Sequence, residues 1–64
     1  MWTVVYLAQN KMEADKIENA LSEHGVLVRI RSIGKDKNGQ GVFEILVPRP
    51  EIDDAYIILT SVII

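Results

Sequence analysis

The sequence predicts a small α+β domain with the element order β-α-β-β-α. Three observations carry this prediction. Trp2–Ala8 and residues 26–33 and 42–47 are short and rich in β-branched residues, which is typical of strands. Apolar residues at helical spacing follow the first and the third of these segments. The length of 64 residues allows one domain, covering residues 1–64. We expect an antiparallel-type three-stranded sheet of order 2-3-1, half of a ferredoxin-like fold, with both helices on one face.

The first strand is predicted at Trp2–Ala8 (WTVVYLA). Regular alternation would place Val4 and Tyr6 on one face of the sheet and Val5 and Leu7 on the other. Both faces of this strand are therefore expected to be apolar.

The first helix is predicted to begin after Asn10, whose side chain suits the N-cap position. Glu13, three residues later, completes a capping-box-like pattern. Gly25 is predicted to end the helix, because glycine adopts the left-handed C′ conformation at no steric cost. The apolar stripe consists of Ala14, Ile17 and Leu21, with Ala20 beside it and His24 one turn past Leu21.

The second and third strands are predicted at residues 26–33 and 42–47, joined by the polar loop 34–41. Asn38-Gly39 within this loop is a hairpin-turn signal. A two-residue turn there pairs residues whose numbers sum to 77, and a slip of two keeps the same faces. The face expected to seat the helices then carries Val28, Ile30, Phe43, Ile45 and Val47.

The last helix is predicted to start near Pro50, with Glu51, Asp53 and Asp54 at the positive end of its dipole. Ile57 and Ile64 fall outside its apolar stripe. A fourth strand at residues 60–64 (TSVII) is the alternative, although no turn residue separates it from the helix. The stripe consists of Ile52, Ala55, Tyr56, Leu59, Val62 and Ile63.

Composition sets limits on function. The chain has no cysteine, so it has neither a disulfide nor a thiolate metal site. No secretory signal or membrane-spanning run is evident, so the expected location is cytoplasmic, with no membrane partner. The net charge of −2 is uneven: residues 26–49 carry five basic and two acidic side chains, whereas both flanks are acidic. This basic excess is too weak to indicate nucleic acid.

The candidate binding residues lie in the predicted hairpin. Arg29 and Arg31 are two apart on one strand and point the same way, so they could hold a phosphate or carboxylate. Lys35 and Lys37 in the loop add positive charge to this anion-binding candidate. The alternative is cross-strand pairing of the arginines with Glu44, which one carboxylate would neutralise only in part.

Other residues have structural explanations. His24 suits a helix end, where it interacts favourably with the dipole. The glycines and Lys35 of loop 34–41 lack the spacing of a phosphate-binding loop. No nucleophile stands near a base in a usable spacing. We therefore expect no catalytic residue, metal site or cofactor.

The chain resembles a family of very small bacterial proteins described as signal-transducing, whose function is unknown and which are loosely grouped with nitrogen-regulatory PII proteins. The matching segments are VVYLA, EADKIENALSEHG, VLVRI and FEILVPRPEIDDAYIIL, which span nearly the whole chain. The resemblance implies half of a ferredoxin-like fold, with strand 3 between strands 1 and 2, and a regulatory or binding role. It carries over no functional residue, and the long nucleotide-sensing loop of PII proteins is missing.

The leading functional prediction is a non-catalytic regulatory or binding module; the alternative is a purely structural interaction subunit. A homodimer or higher oligomer is expected, because 48% of the residues are hydrophobic and two helices cover only one sheet face. The other face is expected to expose Leu27, Ile33, Val42 and Leu46 around an arginine–glutamate cluster.

Overall fold

The computed structural model describes residues 1–35, 37 and 41–63. It confirms the α+β class and the β-α-β-β-α order. Both edge strands run antiparallel to the central one, in the order β1-β3-β2. The elements are β1 (Trp2–Ala8), α1 (Lys11–Glu23), β2 (Arg29–Lys35), β3 (Gly41–Pro48), a 3-10 turn (Arg49–Glu51) and α2 (Ile52–Ile63).

The core lies between the sheet and the two helices. Ile17 and Leu21 of α1 and Ile45 and Val47 of β3 are its largest fully buried side chains. Phe43, on the same side of β3, is only half-buried at the margin of this core. The helices therefore cover one face of the sheet, as predicted, and leave the opposite face open.

Both ends of α1 are capped as the sequence predicts. The Asn10 Oδ1 atom accepts a hydrogen bond from the Glu13 amide at 2.8 Å, and the Glu13 carboxylate accepts one from the Gln9 amide at 2.9 Å. Gly25 has φ +79°, the left-handed conformation that favours glycine. The amide of Val26 donates back to the Leu21 carbonyl at 3.0 Å, which completes a Schellman motif.

The predicted start of the second strand at residue 26 is wrong. Strand β2 begins at Arg29. Val26 is buried and its backbone N–H is bonded to the Leu21 carbonyl in the last turn of α1, so it belongs to the helix cap. β-branched composition alone does not distinguish a valine in a strand from a valine in a helix cap.

The pairing of β2 with β3 keeps the predicted faces but not the register of a two-residue turn. Ile30 faces Ile45 and Arg31 faces Glu44, which is the shift of two residues that preserves the faces. The Asn38-Gly39 turn lies outside the described residues. A register shift between Ser32 and Gly34 leaves Ile33 as an extra residue.

Regular alternation along β1 is a wrong prediction, because a β-bulge interrupts the strand between Val4 and Tyr6. Val5 is the extra residue, and both it and Tyr6 pack against the helix-side core. Val4 and Leu7 consequently share the open face, where they lie opposite Leu46 and Glu44. The bulge explains why the apolar residues of this strand do not alternate.

Helix α2 continues to Ile63, so the alternative of a fourth strand at residues 60–64 is wrong for its described part; Ile64 lies outside that part. The predicted stripe is wrong at two of the described positions. Tyr56 is 50% exposed, whereas Ile58, which the prediction left out, is buried. Ile57 is exposed, as its position off the stripe predicts.

In the described part of the chain, no helix combines the length and the apolar character needed to cross a membrane.

Candidate functional site

The open face of the sheet carries an unusual combination of apolar and charged side chains. Arg29, Arg31 and Glu44 lie among apolar residues contributed by all three strands and by the segment before β2. Five of these apolar residues are exposed: Trp2, Val4, Leu7, Leu27 and Ile33. Together they expose roughly 400 Å², which is comparable to the largest apolar patch on a typical monomer. That area is concentrated on a chain of only 4385 Å² in total.

Arg31 is bound to the carboxylate opposite it. Its Nε donates a hydrogen bond to Glu44 Oε1 at 2.6 Å, and its Nη2 forms an ion pair with the same oxygen. Cross-strand pairing with Glu44, the alternative predicted from the sequence, therefore occurs, and the arginine that forms it is Arg31. The Arg31 side chain is 61% exposed, so the pair contributes at most about 1 kcal/mol to stability.

Arg29 has a different partner. Its guanidinium carbon lies 4.4 Å from the centre of the Trp2 ring, which is a cation–π contact. The two residues come from the two edge strands, so the contact spans the central strand β3. Leu46 lies on β3 between them; its predicted exposure on the open face is wrong, because it is only 6% exposed. This low exposure fits a cover formed by the stacked pair.

Two guanidinium groups and one carboxylate leave this face with one excess positive charge. Arg29 and Arg31 are separated by two strand residues, or about 6.6 Å along the backbone. Glu44 forms an ion pair with Arg31, so Arg29 supplies most of the unneutralised positive charge. Guanidinium groups bind carboxylates and phosphates through two parallel hydrogen bonds. The chemistry of this face is therefore suited to a planar or tetrahedral oxyanion.

The two predicted lysines lie apart from the arginines. Lys35 is the last residue of β2 and pairs with Gly41. Gly41 is two residues before Phe43 on β3, so this pair lies on the helix side of the sheet. The register shift at Ile33 thus moves Lys35 off the face that it would share with Arg29 and Arg31 in a regular strand. Lys37 is exposed in the turn that follows. The structure brings together the two arginines of the predicted set, and both lysines remain at the end of the hairpin.

Trp2 is the participant that sequence reasoning missed. It pairs with Pro48 near one end of β1, whereas Arg29 pairs with Leu46. Their proximity depends on the registers of two separate strand pairs. The available signal was the predicted order 2-3-1, which places β1 and β2 on either side of β3.

Two shallow clefts lie at the ends of the helix pair. One, of about 290 Å³, is formed where α1 begins and α2 ends; the other, of about 280 Å³, is formed where α1 ends and α2 begins. The second includes Glu51, Asp54 and His24, but the His24 Nδ1 atom is 2.8 Å from the Ala20 carbonyl oxygen, within its own helix. Among the described residues, no group of three acidic, histidine or cysteine side chains is arranged to hold a metal ion.

Lys11 forms an ion pair on the surface of α1. The Lys11 ammonium bonds Asp15 at 2.9 Å, and this hydrogen bond and the charge of Asp15 raise the pKa of Lys11. The Lys11 side chain is exposed on α1, which packs on the covered face of the sheet, so the shift describes α1 and not the candidate site.

No protein-family model, no curated protein and no solved structure matches this chain.

Proposed function

We propose that this chain is a non-catalytic binding or regulatory module that takes an anionic group at Arg29 and Arg31 on the open face of its sheet. A regulatory role accords with the resemblance to small signal-transducing proteins. The ligand chemistry is an oxyanion, either a carboxylate or a phosphate. Lys35 and Lys37 add longer-range attraction from the end of the hairpin.

The observation that carries this proposal is the position of the Arg29 guanidinium carbon over the Trp2 ring, 4.4 Å from its centre. A stacked guanidinium presents its flat face to the ring, while its five N–H donors lie in the plane of the group. Stacking thus fixes the group without using its hydrogen-bonding edge. A fixed donor edge loses less conformational entropy when an oxyanion binds, which favours affinity.

Trp2 provides the measurement, because it is the single tryptophan in the chain. We expect inorganic phosphate and citrate, titrated separately, to change its fluorescence, because an anion bound at the donor edge of Arg29 places a negative charge close to the ring that the guanidinium contacts. Saturation by one probe alone assigns the ligand class to phosphates or to carboxylates.

Charge reversal at both arginines (Arg29→Glu with Arg31→Glu) should reduce affinity at least about tenfold, since each charge-assisted hydrogen bond contributes roughly 1.5–3 kcal/mol. Far-UV circular dichroism should show unchanged helix content.

Lys16→Glu is the matched control, because Lys16 is an exposed cation on α1, away from the open sheet face. This variant has one charge reversal and should bind both probes as the parent does. Glu44→Gln tests the same site in the opposite direction, since it releases Arg31 and should strengthen binding several-fold. Binding that ignores both arginines, or that falls equally in Lys16→Glu, would contradict the proposal.

A second candidate function is a structural homo-oligomeric subunit without a small-molecule ligand. The observation that favours it is the exposed apolar surface of the open face, which includes Val4 and Leu7 of the edge strand β1. Large exposed apolar patches commonly mark protein interfaces. Sedimentation equilibrium from low to high micromolar concentration tests this candidate, and a single 7.2 kDa species throughout would exclude it.

A further inference from the structure

In the described sheet, β1 and β2 are the edge strands, and each has one side without a paired strand. Such a side presents backbone N–H and C=O groups that another strand can pair with. The two edges differ in charge. Strand β2 carries Arg29, Arg31 and Lys35, whereas β1 has no charged residue between Trp2 and Ala8. Pairing of β2 with its own copy would bring these cations together, and pairing of β1 with its copy would not.

We propose that a second copy of this chain pairs antiparallel with β1 across a two-fold axis, which joins two three-stranded sheets into one sheet of six strands. The inference deepens the second proposed function, on which it rests, and uses none of the anion-binding groups of β2. Closed two-fold symmetry is the commonest arrangement of homo-oligomers.

The bulge in β1 fixes the register of this pairing. Facing residues in an antiparallel pair must lie on the same side of the sheet. In β1 the open face holds Val4 and Leu7, whereas Val5 and Tyr6 are both on the helix side. If Val4 faces the partner's Leu7, then Val5 faces the partner's Tyr6, and each facing pair shares a side. If the partner's strand is shifted by one or two residues in either direction, at least one facing pair joins an open-face residue to a helix-side residue.

A bulge on an edge strand normally discourages pairing with a regular strand. Here the partner strand carries the same bulge at the symmetric position. The two bulges face each other across the two-fold axis, so facing residues stay on the same side of the sheet along both strands. The feature that protects this edge against unrelated strands thus favours a second copy of the same strand.

Helix α2 extends the same lateral surface. It packs over β1 and β3, and its flank with Asp54, Ile57 and Ile58 lines the cleft next to the end of α1. At 100° per residue, Tyr56 lies on the other flank, away from α1, and is 50% exposed. Tyr56 is therefore on the side of the molecule where β1 has its free edge, above the proposed strand pair.

The lateral surface is large enough for a modest interface. A seven-residue strand is about 23 Å long, and the molecule is 15 Å thick between Cα atoms. These dimensions give about 350 Å² per copy, or about 700 Å² for the pair, which is the size of a weak interface. We therefore expect a dimer that dissociates on dilution.

The experiment uses cysteine variants, since the parent chain has no cysteine. Val4→Cys and Leu7→Cys are prepared separately, mixed in equal amounts and oxidised in a glutathione redox buffer. Facing residues have Cα atoms about 4.5–5.5 Å apart, which suits a disulfide. Each cysteine is about 10 Å from the same residue of its partner, which is too far. We expect the mixed disulfide at least about tenfold above either symmetric one, measured by non-reducing mass spectrometry.

Ile33→Cys is the matched control, because Ile33 is similarly exposed but lies on the opposite edge strand. Mixed with Val4→Cys, it should give no preferred disulfide. The parent chain supplies a second measurement: amide hydrogen exchange in residues 3–8 should slow as concentration rises, while exchange in β2 does not change. The disulfides test the register, whereas hydrogen exchange tests which edge strand is covered and requires no substitution.

The outcomes separate the inference from the function on which it rests. A statistical mixture of disulfides, with concentration-independent exchange in β1, would overturn the β1 pairing. If sedimentation still shows a dimer in that case, the structural-subunit function stands and another surface forms the interface. If sedimentation shows 7.2 kDa alone, both fail.

Discussion

At the scale of single residues, two side chains on the same strand and the same face have different roles. Glu44 neutralises Arg31 through a hydrogen bond and an ion pair, whereas Arg29 is stacked on an aromatic ring. The difference arises from the β3 residue opposite each arginine, since Arg31 faces Glu44 and Arg29 faces Leu46. The excess charge of the face is thus concentrated on the arginine whose orientation the ring fixes.

Core residues also differ along one strand, which permits a comparison of two truncations. Ile45 is fully buried between sheet and helices, whereas Phe43 is half-buried. We expect Ile45→Ala to cost about 3–4 kcal/mol, which is comparable to the whole stability of so small a domain, and to unfold it. Phe43→Ala should cost less than the roughly 3–5 kcal/mol of a fully buried phenylalanine.

Urea denaturation followed by circular dichroism measures both variants. A half-exposed ring loses less contact and leaves a smaller cavity, so Phe43→Ala should remain folded in the absence of urea. A Phe43→Ala chain that is less stable than Ile45→Ala would contradict the placement of these side chains relative to the core.

At the scale of elements, the sequence predicted the caps and the order correctly but not the irregularities. Asn10 and Gly25 mark the ends of α1 because their local chemistry determines the conformation of neighbouring backbone. The bulge at Val5 and the extra residue Ile33 depend on pairing with β3, which local composition does not encode. The exposure of Tyr56 similarly depends on how α2 rotates against the sheet.

The C-terminal cap of α1 gives a prediction at this scale. A Cβ atom at Gly25 would contact no atom within 4 Å, so a substitution there is opposed by backbone conformation alone. With φ at +79°, we expect Gly25→Ala to destabilise the protein by about 1–2 kcal/mol. Gly25→Asn should cost less, since asparagine tolerates the left-handed region.

The midpoint of urea unfolding distinguishes these variants. If the cost is purely conformational, the parent is the most stable, Gly25→Asn is intermediate and Gly25→Ala is the least stable. Equal midpoints for the alanine and asparagine variants would indicate that the cost has another origin.

At the scale of the whole molecule, the chain is a two-layer slab with one covered and one open sheet face. The sequence predicted the open face and the two arginines, because strand parity assigns them to it. It did not predict Trp2 as the partner of Arg29, since that contact joins residues 27 positions apart through two strand registers. Nor did it indicate which surface another copy would use, because the register of β1 with itself depends on the bulge.

Pairing through β1 makes the stability of the whole molecule depend on concentration. A dimer that forms from folded chains stabilises them by mass action. We expect the thermal midpoint of the parent to rise by several degrees between about 5 and about 500 µM, since 1 kcal/mol corresponds to roughly 4–8 °C in a domain of this size. Val4→Lys places a charge on the pairing edge and should remove this dependence, because a lysine on an edge strand opposes pairing.

Ile33→Lys is the control for this comparison, because it introduces the same charge at a similarly exposed position on β2. It should keep the concentration dependence of the parent. At the lowest concentration the parent and Val4→Lys should unfold at similar temperatures, since both are monomeric there. If Ile33→Lys loses the dependence while Val4→Lys retains it, the stabilising contact lies at the β2 edge, and the two-fold pairing of β1 is wrong.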